Sequence, residues 1–226
     1  MNTTGVKEEK TKLKTGYTTG SSATAASKAA LLSIIRQKKI ENVDILLPKK
    51  SLIQIPIHSC EFETEKAKCS VIKNGGDDPD VTHGAEIIVE LSFTGKINEI
   101  EIDGGEGVGI VTKPGLGLEI NKPAINPVPK KMIIENLREV GKEILLKKGI
   151  RVVISVPKGK ELGPKTDNPR LGIINGISIL FIFLVNDNST IISAPWVTSG
   201  SSPPFLITMH FALSDSNSHE SIGIWI

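Results

Sequence analysis

Hydrophobic and polar residues alternate in several short stretches of the chain, which is typical of β-strands that bury one face. A short run of β-branched residues at 151–156 favours a strand in the centre of a sheet instead. These patterns predict strands at residues 42–47, 51–58, 66–73, 85–93, 97–103 and 151–156.

The spacing of these stretches also predicts how they pair. Residues 51–58 and 66–73 are expected to form a hairpin or adjacent strands. Residues 85–93 and 97–103 are expected to form a second hairpin that turns at residues 94–96.

Two other stretches repeat apolar residues at helical spacing. Residues 23–35 follow a turn in which Thr19, Ser21 and Ser22 are the N-cap candidates. Residues 130–148 follow a Pro-Val-Pro sequence and end before a glycine, both of which suit helix termini. Because strands outnumber helices, the sequence predicts an α+β fold with a mixed sheet and helices packed on one face.

Composition narrows the class of protein. The net charge of +2 gives no field that would suggest nucleic acid, and no apolar run is long enough to cross a membrane. Residues 1–12 are polar and predict a flexible leader without a signal sequence. Two cysteines suit a reduced, cytoplasmic protein. All 27 Lys and Arg lie at or before Arg170, and residues 171–226 contain none.

The Gly- and Pro-rich segment 104–129 is the strongest local signal of a functional loop. The glycines at 105, 107 and 109 would let backbone N–H groups approach a ligand closely. The alternative is a set of turns that need positive φ angles.

A second candidate is the acidic loop 73–84, where Asp77, Asp78 and Asp80 lie close to His83. Like charges this close need water, a cation, N–H donors or a raised pKa to offset their repulsion. A solvated turn is the alternative, and the spacing does not match a calcium-binding loop.

The turn before the first helix is a third candidate, since Thr18, Thr19 and Ser21 can line an anion site at a helix N-terminus. Ordinary capping is the alternative. His58, Cys60 and Cys69 do not fit a zinc spacing, which favours a strand-borne histidine and two buried thiols. No metal site is predicted.

Four segments together resemble the CbiD family of cobalamin biosynthesis. The resemblance covers about residues 13–180 and runs in the family's order. The segments are GYTTGSSATAASKAA (16–30), GDDPDVTHGAEI (76–87), GGEGVGIVTKPGLGLEINKPAINPVPKKMI (104–133) and SVPKGKELGPKTDNPRLGIINGISIL (155–180).

The resemblance implies a two-layer α/β sandwich and a cytoplasmic enzyme that methylates C-1 of cobalt-precorrin-5B to give cobalt-precorrin-6A. S-adenosyl-L-methionine would be the methyl donor, and the cobalt would belong to the substrate. The family motifs would then supply catalytic candidates and residues that bind the substrate or its carboxylate arms. The catalytic candidates are Asp77, Asp78, Asp80 and His83, and the substrate-binding candidates are Thr18, Thr19, Ser21, Gly105, Glu106, Gly107, Gly109, Lys113, Asn126, Lys130 and Arg170.

The sequence departs from the family in two places. Ser22 stands where the family usually has a cysteine, and the family pattern stops at Leu180. Residues 181–226 are expected to be a non-family tail that arose by a frameshift near Phe181.

Two other functions compete with methyl transfer. The chain would be a non-catalytic or inactive tetrapyrrole-binding remnant if the tail has replaced essential parts of the enzyme. Residues 18–27 also resemble, over a short stretch, the phosphate loop of GHMP-type small-molecule kinases, which would bind ATP. Neither a nucleic-acid nor a membrane partner is predicted, and the oligomeric state stays open.

Overall fold

The computed structural model describes residues 16–48, 50–77 and 80–181, together with the backbone of two short strands further along the chain. Asp78 and the predicted leader lie outside the described residues. The helices are α1 (Thr19–Arg36), α2 (Pro127–Val140), α3 (Lys142–Leu145), α4 (Gly159–Leu162) and α5 (Asn168–Leu171), and the strands are β1 (Asn42–Leu46), β2 (Leu52–Pro56), β3 (Ser59–Phe62), β4 (Lys66–Ile72), β5 (Glu86–Thr94), β6 (Ile100–Gly104), β7 (Ile110–Val111), β8 (Gly149–Ser155), β9 (Ile173–Ile174), β10 (Leu206–Met209) and β11 (Ile222–Trp225).

The main sheet has five strands in the order β3-β4-β5-β8-β6. Its pairs are antiparallel except for β6 and β8, which run parallel. The parallel pair needs a crossover, and α2 and α3 supply it between the two strands. The structure therefore confirms the predicted mixed sheet, and β8 is a central strand as predicted.

Both predicted hairpins are wrong. β8 lies between β5 and β6, because its fully buried Ile150, Val152 and Ile154 fit the middle of the sheet better than an edge. β2 pairs with β1 in a separate two-stranded sheet, with Val43 opposite Ile55, and β4 pairs with β3 and β5 instead.

Helix α1 packs across one face of the main sheet and α2 packs beside it. The small side chains of α1 let the helix backbone lie close to the strands, and every residue from Thr19 to Ile34 is buried. The opposite face of the sheet is polar, as the exposed Lys68–Glu90 ion pair across β4 and β5 illustrates. This arrangement confirms the predicted α+β fold with helices on one face.

The second predicted helix is interrupted. α2 ends at Val140, and Gly141 separates it from the single turn of α3. A Cβ at Gly141 would lie 2.9 Å from the Cδ2 of Leu31, so the glycine lets the end of α2 approach α1. Within the described ranges, no helix is both long and apolar enough to cross a membrane.

Candidate functional site

Loops from four strands meet at one end of the main sheet. The last residues of β4, β6 and β8 lie beside the first residues of β5, because β5 is antiparallel to β4 and β8 while β6 is parallel to β8. The loops that follow β4 and β6 are residues 73–84 and 105–109, and the loop that follows β8 leads into α4 within residues 156–163. We call these three loops, together with the N-terminus of α1, the motif end, because all four family-like segments contribute to it.

Backbone hydrogen bonds join the motif end into one unit. The N–H of Tyr17, just before α1, donates to the carbonyl of Asn74 at 2.6 Å. The N–H of Gly20 donates to the carbonyl of Leu180 at 2.8 Å, and Asn126 donates to Ile179 at 3.0 Å. The segment that ends at Leu180 therefore ties the N-termini of α1 and α2 together.

Four glycines make the close contacts between these loops. Gly107 has a φ of +71° and packs its backbone against Val156 and Gly159. Gly176 packs against Gly107 and Gly163 in the same way. A side chain at these positions would overlap backbone atoms of the neighbouring loop, which explains why the sequence uses glycine there.

Two of the loop glycines use within the protein the N–H groups that we expected to bind a ligand. The N–H of Gly105 donates to Ile154 at 2.7 Å, and that of Gly109 donates to Ile177 at 2.9 Å. Gly107 uses its carbonyl to accept from Ile177. The alternative interpretation, turns with positive φ, describes Gly107 better. Glu106 between them is exposed and lies 3.6 Å from the Nζ of Lys160.

The N-terminus of α1 is capped within the protein. Thr18 is the N-cap, and its Oγ1 accepts from the N–H of Ser21 at 3.1 Å. The predicted cap candidates Thr19, Ser21 and Ser22 lie inside the first turn, so the predicted cap is wrong by at least one residue. Thr19 Oγ1 accepts from the N–H of Leu180 at 2.9 Å. Since Gly20 and Ser21 already donate to protein oxygens, neither the anion site nor the kinase phosphate loop is supported.

In the acidic loop, Asp80 is held by its neighbours. One carboxylate oxygen forms an ion pair with Lys73, whose side chain is only 4% exposed, and the other accepts from the N–H and hydroxyl of Thr82, both at 2.7 Å. Burial alone would raise the pKa of Asp80, but the hydrogen bonds from Lys73 and Thr82 outweigh it, so the pKa lies below its usual value. Asp80 thus stabilises the loop and is poorly suited to be the predicted general base.

His83 and Asp77 are both exposed on this loop. The N–H of Gly75 donates to Nδ1 of His83 at 3.1 Å. In the neutral ring the proton then sits on Nε2, which makes that nitrogen a hydrogen-bond donor and not the predicted base. Asp77 lies on the loop where a base or an acidic partner for the methyl donor was predicted. Asp78 lies outside the described residues.

The other predicted binding residues lie in two places. Asn126 is the N-cap of α2 and makes no side-chain capping bond, and Lys130 follows on the first turn, half-buried. Lys113 and Arg170 lie instead on a small lobe built around β7 and β9, whose own apolar cluster includes Val111. Both side chains are exposed.

Two buried polar side chains that hold the motif end together, Lys73 and Asn168, were not predicted from the sequence. Lys73 was not singled out because nothing in its local sequence shows that it is buried. Asn168 is buried as well: its Nδ2 donates to the carbonyl of Gly176 at 3.2 Å, and its Oδ1 accepts from the hydroxyl of Ser178 at 3.3 Å. The Asp-Asn-Pro sequence around Asn168 is a turn signal that draws attention to it.

His58, Cys60 and Cys69 lie outside the motif end. His58 is exposed at the bend before β3, so the prediction that it lies on a strand is wrong. Cys60 and Cys69 are buried free thiols, as predicted. In the part of the chain that the structure describes, no three His, Cys, Asp or Glu side chains are grouped so as to hold a metal ion.

The fold and the motif end define a class of protein: an α+β sandwich whose loops converge at one end of a mixed sheet. The family profile of CbiD matches residues 6–181. The chain therefore belongs to the CbiD family.

Curated relatives and a solved structure agree with this family. The cobalt-precorrin-5B C(1)-methyltransferase of Priestia megaterium is 50% identical over 175 residues, which are 77% of this chain and 47% of the relative. The protein of the same name from Geobacillus kaustophilus is 51% identical over 173 residues, 76% of this chain and 46% of the relative. The crystal structure of the cobalamin biosynthesis protein CbiD from Archaeoglobus fulgidus superposes with a TM-score of 0.56 at 33% identity, covering 81% of this chain and 55% of that one. The chain thus spans about half the length of the relatives it matches.

Proposed function

We propose that this chain forms part of an enzyme that methylates C-1 of cobalt-precorrin-5B, giving cobalt-precorrin-6A in anaerobic cobalamin biosynthesis. The observation that carries the proposal is the convergence of all four family segments at the motif end. Relatives about 50% identical to the chain bear the name of this activity. We further propose that the protein acts in the cytoplasm.

The proposed substrate is a macrocycle with several carboxylate arms, and cations that are exposed or half-buried suit those arms. Lys113 and Arg170 project from the lobe beside the motif end, and Lys130 lies on the first turn of α2. Arg170 lies 3.5 Å from Asp167, and both side chains are largely exposed. Because exposed ion pairs contribute little, Arg170 can exchange this partner for a substrate carboxylate.

We propose S-adenosyl-L-methionine as the methyl donor; when bound, it supplies a methyl group on a positively charged sulfur. The chain's acidic side chains fit a positive ligand, since Asp77 and Glu106 are both exposed at the motif end. Their role would be to orient the donor by charge, while the surrounding loops align donor and acceptor and exclude water. Two surface cavities of about 300 and 370 Å³ are lined by residues outside the motif end, so neither is assigned to the donor.

Ring methylation is accompanied by the loss of a proton, which calls for a general base. Asp80 is engaged by Lys73 and Thr82, and His83 accepts a bond at Nδ1. We propose Asp77 as the base because its exposed carboxylate lies on the acidic loop of the motif end, with His83 Nε2 as a hydrogen-bond donor to the substrate. Replacing Asp77 by Asn should remove the proton acceptor while keeping the size of the side chain.

We also propose that residues 181–226 do not belong to the family fold and arose by a frameshift near Phe181. The composition supports this, since Lys and Arg are absent beyond Arg170. Reading the coding DNA tests it directly: another frame should encode a family-like continuation. The idea fails if no frame does.

The activity is tested by anaerobic incubation of cobalt-precorrin-5B with methyl-labelled S-adenosyl-L-methionine. Two proteins are compared: this chain, and a fusion of residues 1–180 with the remaining part of the Priestia megaterium relative. Transfer of label by the fusion, with a strong loss in its Asp77→Asn variant, supports the proposal. Failure of the folded fusion to transfer label would contradict it, whereas activity of the fusion alone would identify this chain as an inactive form.

A further inference from the structure

Cys60 and Cys69 form a cross-strand pair that the proposed methyl transfer does not use. They lie directly opposite each other on β3 and β4, and both thiols are free. The Sγ atoms are 3.0 Å apart, and Cys69 donates its S–H to Cys60. A disulfide has an S–S distance of about 2.05 Å, so the two sulfurs need to move together by only about 1 Å.

The hydrogen-bond pattern of the hairpin gives the pair the right backbone spacing. The N–H of Glu63 donates to the carbonyl of Lys66 at 2.8 Å, which marks this as a hydrogen-bonded pair of the ladder. Hydrogen-bonded and non-hydrogen-bonded pairs alternate along antiparallel strands, so Cys60 and Cys69 occupy a non-hydrogen-bonded pair. The Cα atoms of such pairs are about 4.5 Å apart, which lies within the range of about 4.4 to 6.8 Å that disulfides adopt.

The two thiols differ in their access to solvent. Cys60 is 8% exposed and lines a surface cavity of about 300 Å³ together with Lys39 and His58, whereas Cys69 is fully buried behind it. Burial raises the pKa of the Cys69 thiol. A small oxidant therefore reaches Cys60 first. The buried Cys69 is close enough to react with the oxidised Cys60.

We propose that Cys60 and Cys69 are a reversible thiol-oxidation site that low-molecular-weight disulfides convert to an intramolecular disulfide. The Cys60 thiolate attacks glutathione disulfide, forming a mixed disulfide and releasing one glutathione thiolate. The Cys69 thiol loses its proton, the resulting thiolate attacks the Cys60 sulfur, and the second glutathione leaves as a thiolate. Two cysteine thiols are oxidised, one glutathione disulfide is reduced to two glutathiones, and these take up the two thiol protons.

The test uses the reduced, folded full chain with glutathione disulfide as the probe. We expect both thiols to disappear together and to return with dithiothreitol, with a mass loss of about 2 Da, the two hydrogens removed on disulfide formation. Because Lys66 and Lys68 lie between the cysteines, trypsin should release two separate peptides joined by the disulfide. Retention of both thiols, or a chain that carries glutathione without an internal disulfide, would overturn the proposal.

Two single variants test the order of events. Cys69→Ser should leave Cys60 able to form a stable mixed disulfide, visible as one added glutathione. Cys60→Ser should leave the buried Cys69 unmodified at the same time point. Equal modification of the two variants, each shown by circular dichroism to be folded, would refute the assignment of Cys60 as the entry point.

Discussion

Replacing Gly107 by Ala should destabilise the protein far more than the same change at an open glycine. The added Cβ would overlap the carbonyl oxygen of Val156 and would lie 3.0 Å from its carbonyl carbon and 3.1 Å from the Cα of Gly159. All three neighbours are backbone, so no flexible side chain can move aside.

The expected cost has three parts. A non-glycine residue at a φ of +71° costs about 1–2 kcal/mol. Relieving the overlap by shifting the loops costs about 1–3 kcal/mol, as in other overpacked sites. Weakening the bond from the Ile177 N–H to the Gly107 carbonyl adds about 1 kcal/mol. Together these predict a loss of about 3–6 kcal/mol in the free energy of unfolding, a large share of a typical domain's stability.

Two glycines serve as matched controls in urea unfolding followed by circular dichroism. Gly84 has a φ of +76° but nothing within 4 Å of a Cβ, so Gly84→Ala should cost only the conformational part, about 1–2 kcal/mol. Gly95 has neither constraint, and Gly95→Ala should change stability by less than about 1 kcal/mol. If Gly107→Ala costs no more than Gly84→Ala, the interlocking of the loops at Gly107 is refuted.

Three further substitutions test separate contacts. Thr18→Ala removes the cap of α1 and should lower the free energy of unfolding by about 1 kcal/mol in urea titrations. Asn136→Leu should lower the free energy of unfolding by about 2–4 kcal/mol, because the buried Asn136 amide forms hydrogen bonds with both the N–H and the carbonyl of Leu46. The control Glu135→Ala, at an exposed neighbouring position, should change it by no more than about 0.5 kcal/mol. Asp80→Asn should destabilise at neutral pH, and its difference from wild type should begin to shrink as the pH falls below about 4.

The sign of the Asp80 prediction follows from the direction of its pKa shift. Folding lowers the pKa of Asp80, so its stabilising effect is fully present above the unfolded pKa and is lost as pH falls through the folded one. A difference between wild type and Asp80→Asn that stays constant down to pH 2 would contradict the pairing with Lys73. If Thr18→Ala leaves the free energy of unfolding unchanged, the capping role of Thr18 is refuted. An Asn136→Leu cost equal to that of Glu135→Ala would argue against the buried amide contacts.

Periodicity predicted most strands and both long helices because it reports which faces are buried. It did not predict pairing, since the position of β8 between β5 and β6 depends on a crossover through α2 that the local pattern does not contain. The break at Gly141 depends likewise on a tertiary contact with Leu31, and the apolar repeat continues across it.

The sequence predicted which segments form the candidate site, but not the hydrogen bonds and contacts that their residues make. The Gly-rich and acidic segments do converge, but their glycines pack against one another and use N–H groups within the protein, as Gly105 and Gly109 show. The engagement of Asp80 depends on Lys73, a partner whose burial the linear sequence does not reveal.

The most direct measurement of the central claim is a calorimetric titration of the folded chain with S-adenosylhomocysteine, the product of methyl transfer from the proposed donor. The paired variants are Asp77→Asn at the motif end and Glu119→Gln, an exposed carboxylate on the lobe. We expect binding near one ligand per chain, weakened by Asp77→Asn and unchanged by Glu119→Gln. Absence of binding both in the chain and in the fusion that carries the rest of a relative, or equal binding by the two variants, would contradict a donor site at the motif end.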